Sequence, residues 1–153
     1  MAKNKPCISV ACDHAAFDLK RDLVAYLREQ GHEVMDRGAK SGRVSVDYPG
    51  YALRVVKDIL EGRADRGILL CGTGIGMSIA ANRFKGIRAA VVHDISTATY
   101  AASHNHANII CIGARLVATH LARVLVQTWL DTPFEPRHLR RLNMIEDMEN
   151  CPS

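Results

Sequence analysis

The sequence predicts an α/β fold, a doubly wound three-layer sandwich around a sheet of about five parallel strands. Short apolar runs alternate with segments of helical periodicity along the whole chain. The strands are apolar throughout and each is followed by a helix, which is typical of a parallel sheet covered on both faces. The length, 153 residues, is that of one domain, which we expect to span 1–153.

The individual elements follow from local signals. The first strand, 7–12, is followed by apolar residues at helical spacing up to Gly31, a helix-terminating glycine. Asp47 is expected to cap the next helix, with Pro49 in its first turn. The remaining strands are predicted at 33–36, 67–71, 87–92 and 107–112, and the remaining helices at 77–83, 96–103, 116–130 and 137–149.

Composition argues against several classes of protein. Aromatic residues make up only 5%, too few for a surface on which single-stranded nucleic acid stacks, and the net charge is only +4. No apolar stretch is long enough to span a membrane. The five cysteines, an odd number without a C-x-x-C pair, argue against a zinc framework or a secreted disulfide scaffold. The chain start lacks a signal peptide's apolar region, so we expect a cytoplasmic protein.

Polar residues cluster where three of the predicted strands end. Asp13 and His14 follow the first strand, residues 71–76 follow the third, and His93 and Asp94 follow the fourth. In open parallel sheets, ligands bind beyond the carboxyl ends of the strands. We therefore expect the chemistry of this protein at that edge of the sheet.

The glycine loop, residues 72–76, is the most specific local motif. Its three glycines let the backbone turn tightly and present successive N–H groups to an anion. The G-x-G-x-G spacing after the third strand differs from a dinucleotide fingerprint and from a nucleotide P-loop. Cys71 directly precedes the loop, where a thiolate could act as a nucleophile or as a base at carbon. The alternative is a turn and a buried thiol that serve packing alone.

Two further polar groups have both functional and structural interpretations. A histidine in the segment 103–106 can act as a general acid or base near neutral pH, or it can belong to an exposed polar loop. Two histidines at this spacing make a poor metal site. Arg137 and Arg141 lie four residues apart, so on one helix face, with His138 beside them, they would suit a phosphate. The alternative is a solvated basic face.

A series of motifs occurs in one order, from about residue 7 to residue 148: Asp13-His14, Asp47-Tyr48-Pro49, Cys71-Gly72-Thr73-Gly74-Ile75-Gly76, Ser78-Ile79-Ala80-Ala81-Asn82, His104-Asn105, Gly113-Ala114-Arg115 and Arg137-His138. Together they closely resemble type B ribose-5-phosphate isomerases, a family that also contains galactose-6-phosphate isomerase subunits. The resemblance implies a Rossmann-like enzyme without metal or cofactor that interconverts ribose 5-phosphate and ribulose 5-phosphate. It also implies a homodimer or tetramer whose sites are shared between subunits.

The resemblance assigns the carbon chemistry to Cys71, which would move a proton between C1 and C2. Some relatives use a glutamate six positions later instead, where this chain has Met77. The glycine loop would hold the cis-enediolate, and Thr73 would help to handle protons on its oxygens. The loop glycines concerned are Gly72, Gly74 and Gly76.

The resemblance also implies roles for the remaining motifs. His104, with Asp13 nearby, would open the furanose ring, and Tyr48 and Asn105 would hold the sugar. The phosphate would be surrounded by His14, Arg115, Arg137, His138 and Arg141.

Two departures from the family pattern leave alternatives open. His106 stands where many relatives have an acidic residue, which adds a titratable group beside the ring-opening histidine. The loop 39–46 is not a family motif, so the preferred sugar length can differ. The alternatives are an isomerase of allose 6-phosphate or galactose 6-phosphate, a non-catalytic phosphosugar-binding regulator, and a redox-sensing thiol protein that uses Cys71.

Overall fold

The computed structural model describes residues 5–151 and contains one parallel sheet in the order β2-β1-β3-β5-β4. The strands are β1 (Ile8–Cys12), β2 (Val34–Asp36), β3 (Arg66–Cys71), β4 (Ala89–Val91) and β5 (Ile109–Gly113). The helices are α1 (Phe17–Glu29), α2 (Tyr48–Leu60), α3 (Ile75–Ala81), α4 (Ile95–Ser103), α5 (Thr119–Asp131) and α6 (Leu139–Met148). Two 3-10 turns lie at His14–Ala16 and Pro136–His138. The predicted α/β fold is confirmed.

The apolar character of the strands follows from burial on both faces of the sheet. Every residue of β1 and β5 is buried, and so is every residue of β3 except its first. Helices α1, α4 and α5 pack on one face, against Val10, Leu70 and Ile112. Helices α2 and α3 cover the other face, where Leu69 and Cys71 lie. These two helical layers and the sheet form the three-layer sandwich.

Two sequence predictions about helix ends need correction. Asp47 occupies the N-cap position of α2, but its side chain accepts no capping hydrogen bond. The last helix begins at Leu139 rather than at residue 137, because a 3-10 turn precedes it, closed by a 3.1 Å bond from the His138 N–H to the Glu135 carbonyl. Arg137 therefore lies in the turn and Arg141 lies in α6. The prediction that a four-residue spacing places both on one face of a single helix is wrong.

The strand order places a crevice between β1 and β3. After β1 the chain passes to β2 on one side and then to β3 on the other, which makes this pair the topological switch point of the sheet. The Asp13 N–H donates to the Leu70 carbonyl at 3.1 Å, and the Ala114 N–H donates to the Cys71 carbonyl at 2.8 Å. We call this side of the sheet, where the strands end, the carboxyl edge, and the opposite side the amino edge.

Three other sequence predictions concern membrane-spanning segments, a signal peptide and the number of domains. Within residues 5–151, no helix is long and apolar enough to cross a membrane. The first four residues, on which the signal-peptide argument partly depends, lie outside the described part, as do the last two. The single-domain interpretation of 1–153 stays a prediction.

Candidate active site

The glycine loop turns back over the sulfur of Cys71. The Gly74 N–H donates to Cys71 Sγ at 3.1 Å, and the cysteine is only 5% exposed. Gly74 has φ +78, and a Cβ there would lie 3.2 Å from the Cys111 backbone, so the position strongly favours glycine. The loop thus aims a backbone donor at the thiol of the last residue of β3, at the carboxyl edge.

The end of β5 supports the loop from the neighbouring strand. A Cβ at Gly113 would lie 2.7 Å from the Thr73 backbone, so the absence of a side chain there lets the loop cross the strand end. The Arg115 N–H donates to the Gly72 carbonyl at 3.0 Å, and the Arg115 guanidinium packs against Gly72. A cationic, exposed side chain therefore stands beside the loop.

Tyr48 covers the other end of the glycine loop. Its ring comes from the first turn of α2 and lies so close to Gly76 that a Cβ there would be 2.6 Å from Tyr48 Cζ. The Tyr48 side chain is partly exposed. Thr73 Oγ1 accepts a 3.3 Å bond from the Ile75 N–H, which holds the hydroxyl within the loop.

Asp13 and His14 stand at the end of β1, across the crevice from Cys71. Asp13 is buried and accepts a 2.9 Å bond from the Ala15 N–H, so it caps the turn after β1. The Val46 N–H donates to His14 Nδ1 at 3.1 Å. In the neutral imidazole the proton is therefore on Nε2, which is a donor available to a ligand.

The rest of the predicted site lies at the amino edge of the same chain. Helix α4 begins beyond β4 at the carboxyl edge and ends at Ser103, and His104 and Asn105 follow before β5 starts. The five residues of β5 run from the amino edge to the carboxyl edge, so the two edges lie roughly 13 Å apart. Within one chain, the structure does not bring His104 near Asp13 or Cys71.

A compact group of titratable side chains forms around His104. Its ring and the His138 ring have centroids 4.1 Å apart, and Glu135 Oε2 lies 3.7 Å from His138 Nε2. His138 is 6% exposed, and its Nε2 has no hydrogen-bond partner among residues 5–151. Burial lowers the pKa of His138, and the charges of Arg137 and His104 lower it further. This group therefore contains a neutral imidazole and a guanidinium side by side.

The same group contains possible metal ligands that the spacing of residues in the sequence did not predict. One donor atom each of His104, Glu135 and His138 lies within 4.8 Å of the others, a set that could hold a divalent metal ion. However, Arg137 Nε donates to Glu135 Oε2 at 2.7 Å, and Arg137 Nη2 forms an ion pair with the same oxygen at 2.7 Å. This cation beside the carboxylate suits an anion better than a metal, and the metal-free site stays a prediction.

His93 is a polar residue that the sequence placed at a strand end without a role. Its Nε2 lies 3.1 Å from the Thr73 carbonyl oxygen, so it contacts the glycine loop. The only signal in the sequence is its position directly after the fourth predicted strand. Asp94, the next residue, forms a capping box with Thr97 at the start of α4.

The other cysteines of the core match the structural interpretation. Burial raises the pKa of the Cys12 thiol to about 11. Burial also raises the pKa of Cys111, and the nearby Cys71 raises it further. Both thiols are therefore protonated near neutral pH and pack as small apolar side chains.

Comparisons with known proteins agree with this architecture. The chain is 43% identical over 143 residues to ribose-5-phosphate isomerase B of Escherichia coli, covering 93% of this chain and 95% of the relative. A solved ribose 5-phosphate isomerase from Thermotoga maritima superposes with a TM-score of 0.90 at 52% identity, covering 93% of this chain and 98% of that chain.

A third relative has a different substrate in its name. D-erythrulose-4-phosphate isomerase of Pectobacterium atrosepticum is 42% identical over 128 residues, 84% of either chain. The family model described as Ribose/Galactose Isomerase matches residues 8–145, nearly the whole described chain. By this match and by its relatives, the chain belongs to the Ribose/Galactose Isomerase family.

Proposed function

We propose that this chain is an aldose–ketose isomerase that interconverts ribose 5-phosphate and ribulose 5-phosphate through a cis-enediolate. The observation that carries the proposal is the Gly74 N–H bond to Cys71 Sγ at the topological switch point. It joins a thiol to a backbone anion site where α/β sheets bind ligands. Membership of the family and the similarity to ribose-5-phosphate isomerases support the same reaction.

Cys71 acts as the base at carbon. Its thiolate takes the C2 proton of the open-chain aldose, and the released electron pair forms the C1–C2 double bond while the aldehyde oxygen becomes an oxyanion. Return of the proton to C1, with transfer of a proton from O2 to O1, gives the ketose. Loop N–H groups stabilise the oxyanion, and Thr73 assists the transfer between oxygens.

His104 opens the sugar ring before this step. Ring opening moves a proton from the anomeric hydroxyl to the ring oxygen, which suits an imidazole because its two nitrogens can accept one proton and donate another. In one chain His104 lies at the amino edge, away from Cys71. We therefore infer that His104 and Asn105 reach the glycine loop of a second copy, whose Asp13 assists ring opening and whose Tyr48 holds the sugar.

The phosphate is held by imidazole and guanidinium donors from both copies. One copy supplies His14, through its Nε2–H, and Arg115 beside the loop. The second copy supplies a group of basic side chains at the amino edge. Its orphaned His138 Nε2 is the donor most in need of such a partner. The residues of that group are Arg137, His138 and Arg141.

Exposed apolar side chains support association with a second copy. Ile75 and Ile79 lie one turn apart on α3 beside the glycine loop, and both are more than half exposed. Ile95 and Tyr100 on α4 are also about half exposed. Exposed apolar side chains grouped on helices in this way are typical of protein interfaces. We expect a cytoplasmic homodimer, or a tetramer built from two such dimers, that contains neither metal nor cofactor.

A coupled assay for ketose formation tests the activity. Ribose 5-phosphate, allose 6-phosphate, galactose 6-phosphate and the four-carbon aldose erythrose 4-phosphate are compared as substrates, and the highest kcat/KM is expected for ribose 5-phosphate. A Cys71→Ala preparation purified in parallel controls for a contaminating host isomerase. Binding without turnover of any of these sugars would identify a phosphosugar-binding regulator. A higher kcat/KM for another sugar would reassign the substrate.

A further inference from the structure

One peptide unit of the glycine loop is hydrogen-bonded at both ends. The carbonyl of Thr73 lies 3.1 Å from His93 Nε2, and the N–H of the same peptide, on Gly74, donates to Cys71 Sγ at 3.1 Å. Because the two groups of a trans peptide point in opposite directions, the unit lies between the imidazole and the sulfur. Any force that turns the carbonyl also turns the donor that faces the thiol.

We propose that His93 is a positioning residue for Cys71, acting through the Thr73–Gly74 peptide to hold the N–H donor on the sulfur. The inference rests on the proposed function in assigning chemistry to Cys71. It adds a residue that does not touch the substrate and lies outside every motif of the family resemblance. His93 belongs to the segment after β4, whereas the loop follows β3.

The bond fixes the state of the imidazole. A carbonyl oxygen only accepts, so His93 Nε2 carries the proton and the neutral ring leaves Nδ1 unprotonated. A hydrogen bond to the carbonyl of a peptide polarises that peptide and strengthens its N–H as a donor. The His93 bond therefore both orients the Gly74 N–H and strengthens its stabilisation of a thiolate on Cys71.

Both ends of this arrangement are built into rigid structure. The His93 N–H lies 3.2 Å from Thr97 Oγ1, and Asp94 N-caps α4 next to it, which fixes the backbone that carries the imidazole. On the other side, the Thr73 backbone packs on Gly113. Contacts from the ends of β4 and β5 thus oppose rotation of the peptide. Removal of the imidazole takes away the contact from the end of β4.

A matched pair of substitutions isolates the donor. His93→Met removes the N–H and keeps a side chain of similar length, whereas His93→Gln restores an amide N–H that can reach the Thr73 carbonyl. His32→Met is the control, because His32 Nδ1 makes the same type of bond, 3.1 Å to the Pro6 carbonyl, at the amino edge. Melting temperatures are measured for all three variants.

The first readout is the alkylation of Cys71 by iodoacetamide at fixed pH, resolved by mass spectrometry of its peptide, with exposed Cys151 as the internal standard. The second is the division of any kinetic loss between kcat and KM for ribose 5-phosphate. We expect His93→Met to slow alkylation and to lower kcat by about three- to tenfold, the range of one ordinary hydrogen bond, with KM unchanged. His93→Gln should regain most of the alkylation rate and most of kcat, and His32→Met should change neither quantity.

Unchanged alkylation of Cys71 in His93→Met, or an equal loss in His93→Gln, would overturn the inference. If the Met variant does not fold, the tautomer of His93 in the unmodified protein decides by NMR, because a proton on Nδ1 rather than Nε2 contradicts the bond. The proposed function fails separately, when Cys71→Ala retains turnover. The alkylation comparison still decides on His93 in that case.

Discussion

The Gly74 N–H donates to Cys71 Sγ at 3.1 Å, across the turn that joins β3 to α3. A backbone donor favours the negatively charged form of its acceptor, so it stabilises the thiolate that the proposed mechanism requires. In the proposed mechanism, the same turn presents the other loop amides to the oxyanion of the enediolate. Thiol and anion site thus depend on one conformation of the chain, with φ +78 at Gly74.

Cys71→Ala is expected to abolish isomerisation while binding of the phosphosugar stays detectable. A general base contributes about 10²–10⁴-fold to a rate, and alanine cannot accept the C2 proton. Steady-state kinetics give the turnover, and calorimetric titration with ribose 5-phosphate gives the affinity. Cys151→Ala, at an exposed position near the chain end, is the control and should match the unmodified protein. Turnover near the unmodified level in Cys71→Ala would reject the base assignment.

His104→Ala is expected to show a loss that depends on the direction of the reaction. Ribose 5-phosphate is mostly cyclic in water, whereas ribulose 5-phosphate cannot close the same ring. The variant should therefore be badly impaired from the aldose and much less so from the ketose. Initial rates in both directions measure this asymmetry.

The forward rate of His104→Ala should approach the spontaneous rate of ring opening at saturating enzyme. His106→Ala is the matched control, because His106 lies two residues away and contacts Phe134 rather than the His138 ring. An equal loss in both directions for His104→Ala would assign His104 another task. The asymmetry in His106→Ala instead would identify His106 as the acid–base group.

Arg137 and Arg141 should act mainly on substrate affinity. Loss of either should weaken binding by about 1.5–3 kcal/mol, the contribution of a charged hydrogen bond that the complex buries, and should raise KM about tenfold or more. Turnover can also fall, because remote binding positions the reacting carbons. Arg140→Ala is the control, since Arg140 lies between them and is exposed. Unchanged KM in both single variants would leave the arginines as a solvated basic face.

Asp58 is expected to make stability depend on acid pH. It is fully buried and accepts hydrogen bonds from Ser9, Arg37 and Arg63. Burial alone would raise the pKa of Asp58, but the hydrogen bonds of Arg37, Ser9 and Arg63 outweigh it and hold the pKa below its ordinary value. A depressed pKa in the folded state stabilises the protein above the unfolded-state pKa, and this contribution is lost as the pH falls through the folded-state value.

Asp58→Asn should therefore lower the free energy of unfolding by about 2–3 kcal/mol at neutral pH, a figure reduced for the partial exposure of the two arginines. The difference from the unmodified protein should shrink as the pH falls below about 4. Urea unfolding at a series of pH values measures both quantities. Asp18→Asn, at a highly exposed carboxylate, should change neither. A difference that is independent of pH would contradict the role of the Asp58 charge.

Local signals explain which parts of the fold and the site were predictable. Residues 71–76 are contiguous, so their composition alone indicates a turn that faces an anion. The expectation that Asp13 and Cys71 lie at one edge needs only the rule for parallel strands, and the 3.1 Å bond between the Asp13 N–H and the Leu70 carbonyl agrees with it.

Contacts between distant segments were not predictable from the same signals. Glu135 approaches His104 because the Glu135 N–H bonds to the Ser103 carbonyl at 2.9 Å, which joins the end of α4 to the turn before α6. The 3-10 turn at 136–138 replaced a predicted helical start, and the bond from His93 to Thr73 depends on how two strand ends pack. None of these has a periodic or compositional signature.

The central claim is that Cys71 of one copy and His104 of another form a single site, because they lie at opposite edges of one chain. Equal amounts of the Cys71→Ala and His104→Ala chains, each expected to be badly impaired from ribose 5-phosphate, are unfolded together, refolded as a mixture and assayed from that substrate. Random pairing makes half the dimers mixed, and each mixed dimer contains one site with both side chains intact, so about a quarter of the unmodified activity should return. A mixture as inactive as its separately refolded components would contradict the shared site.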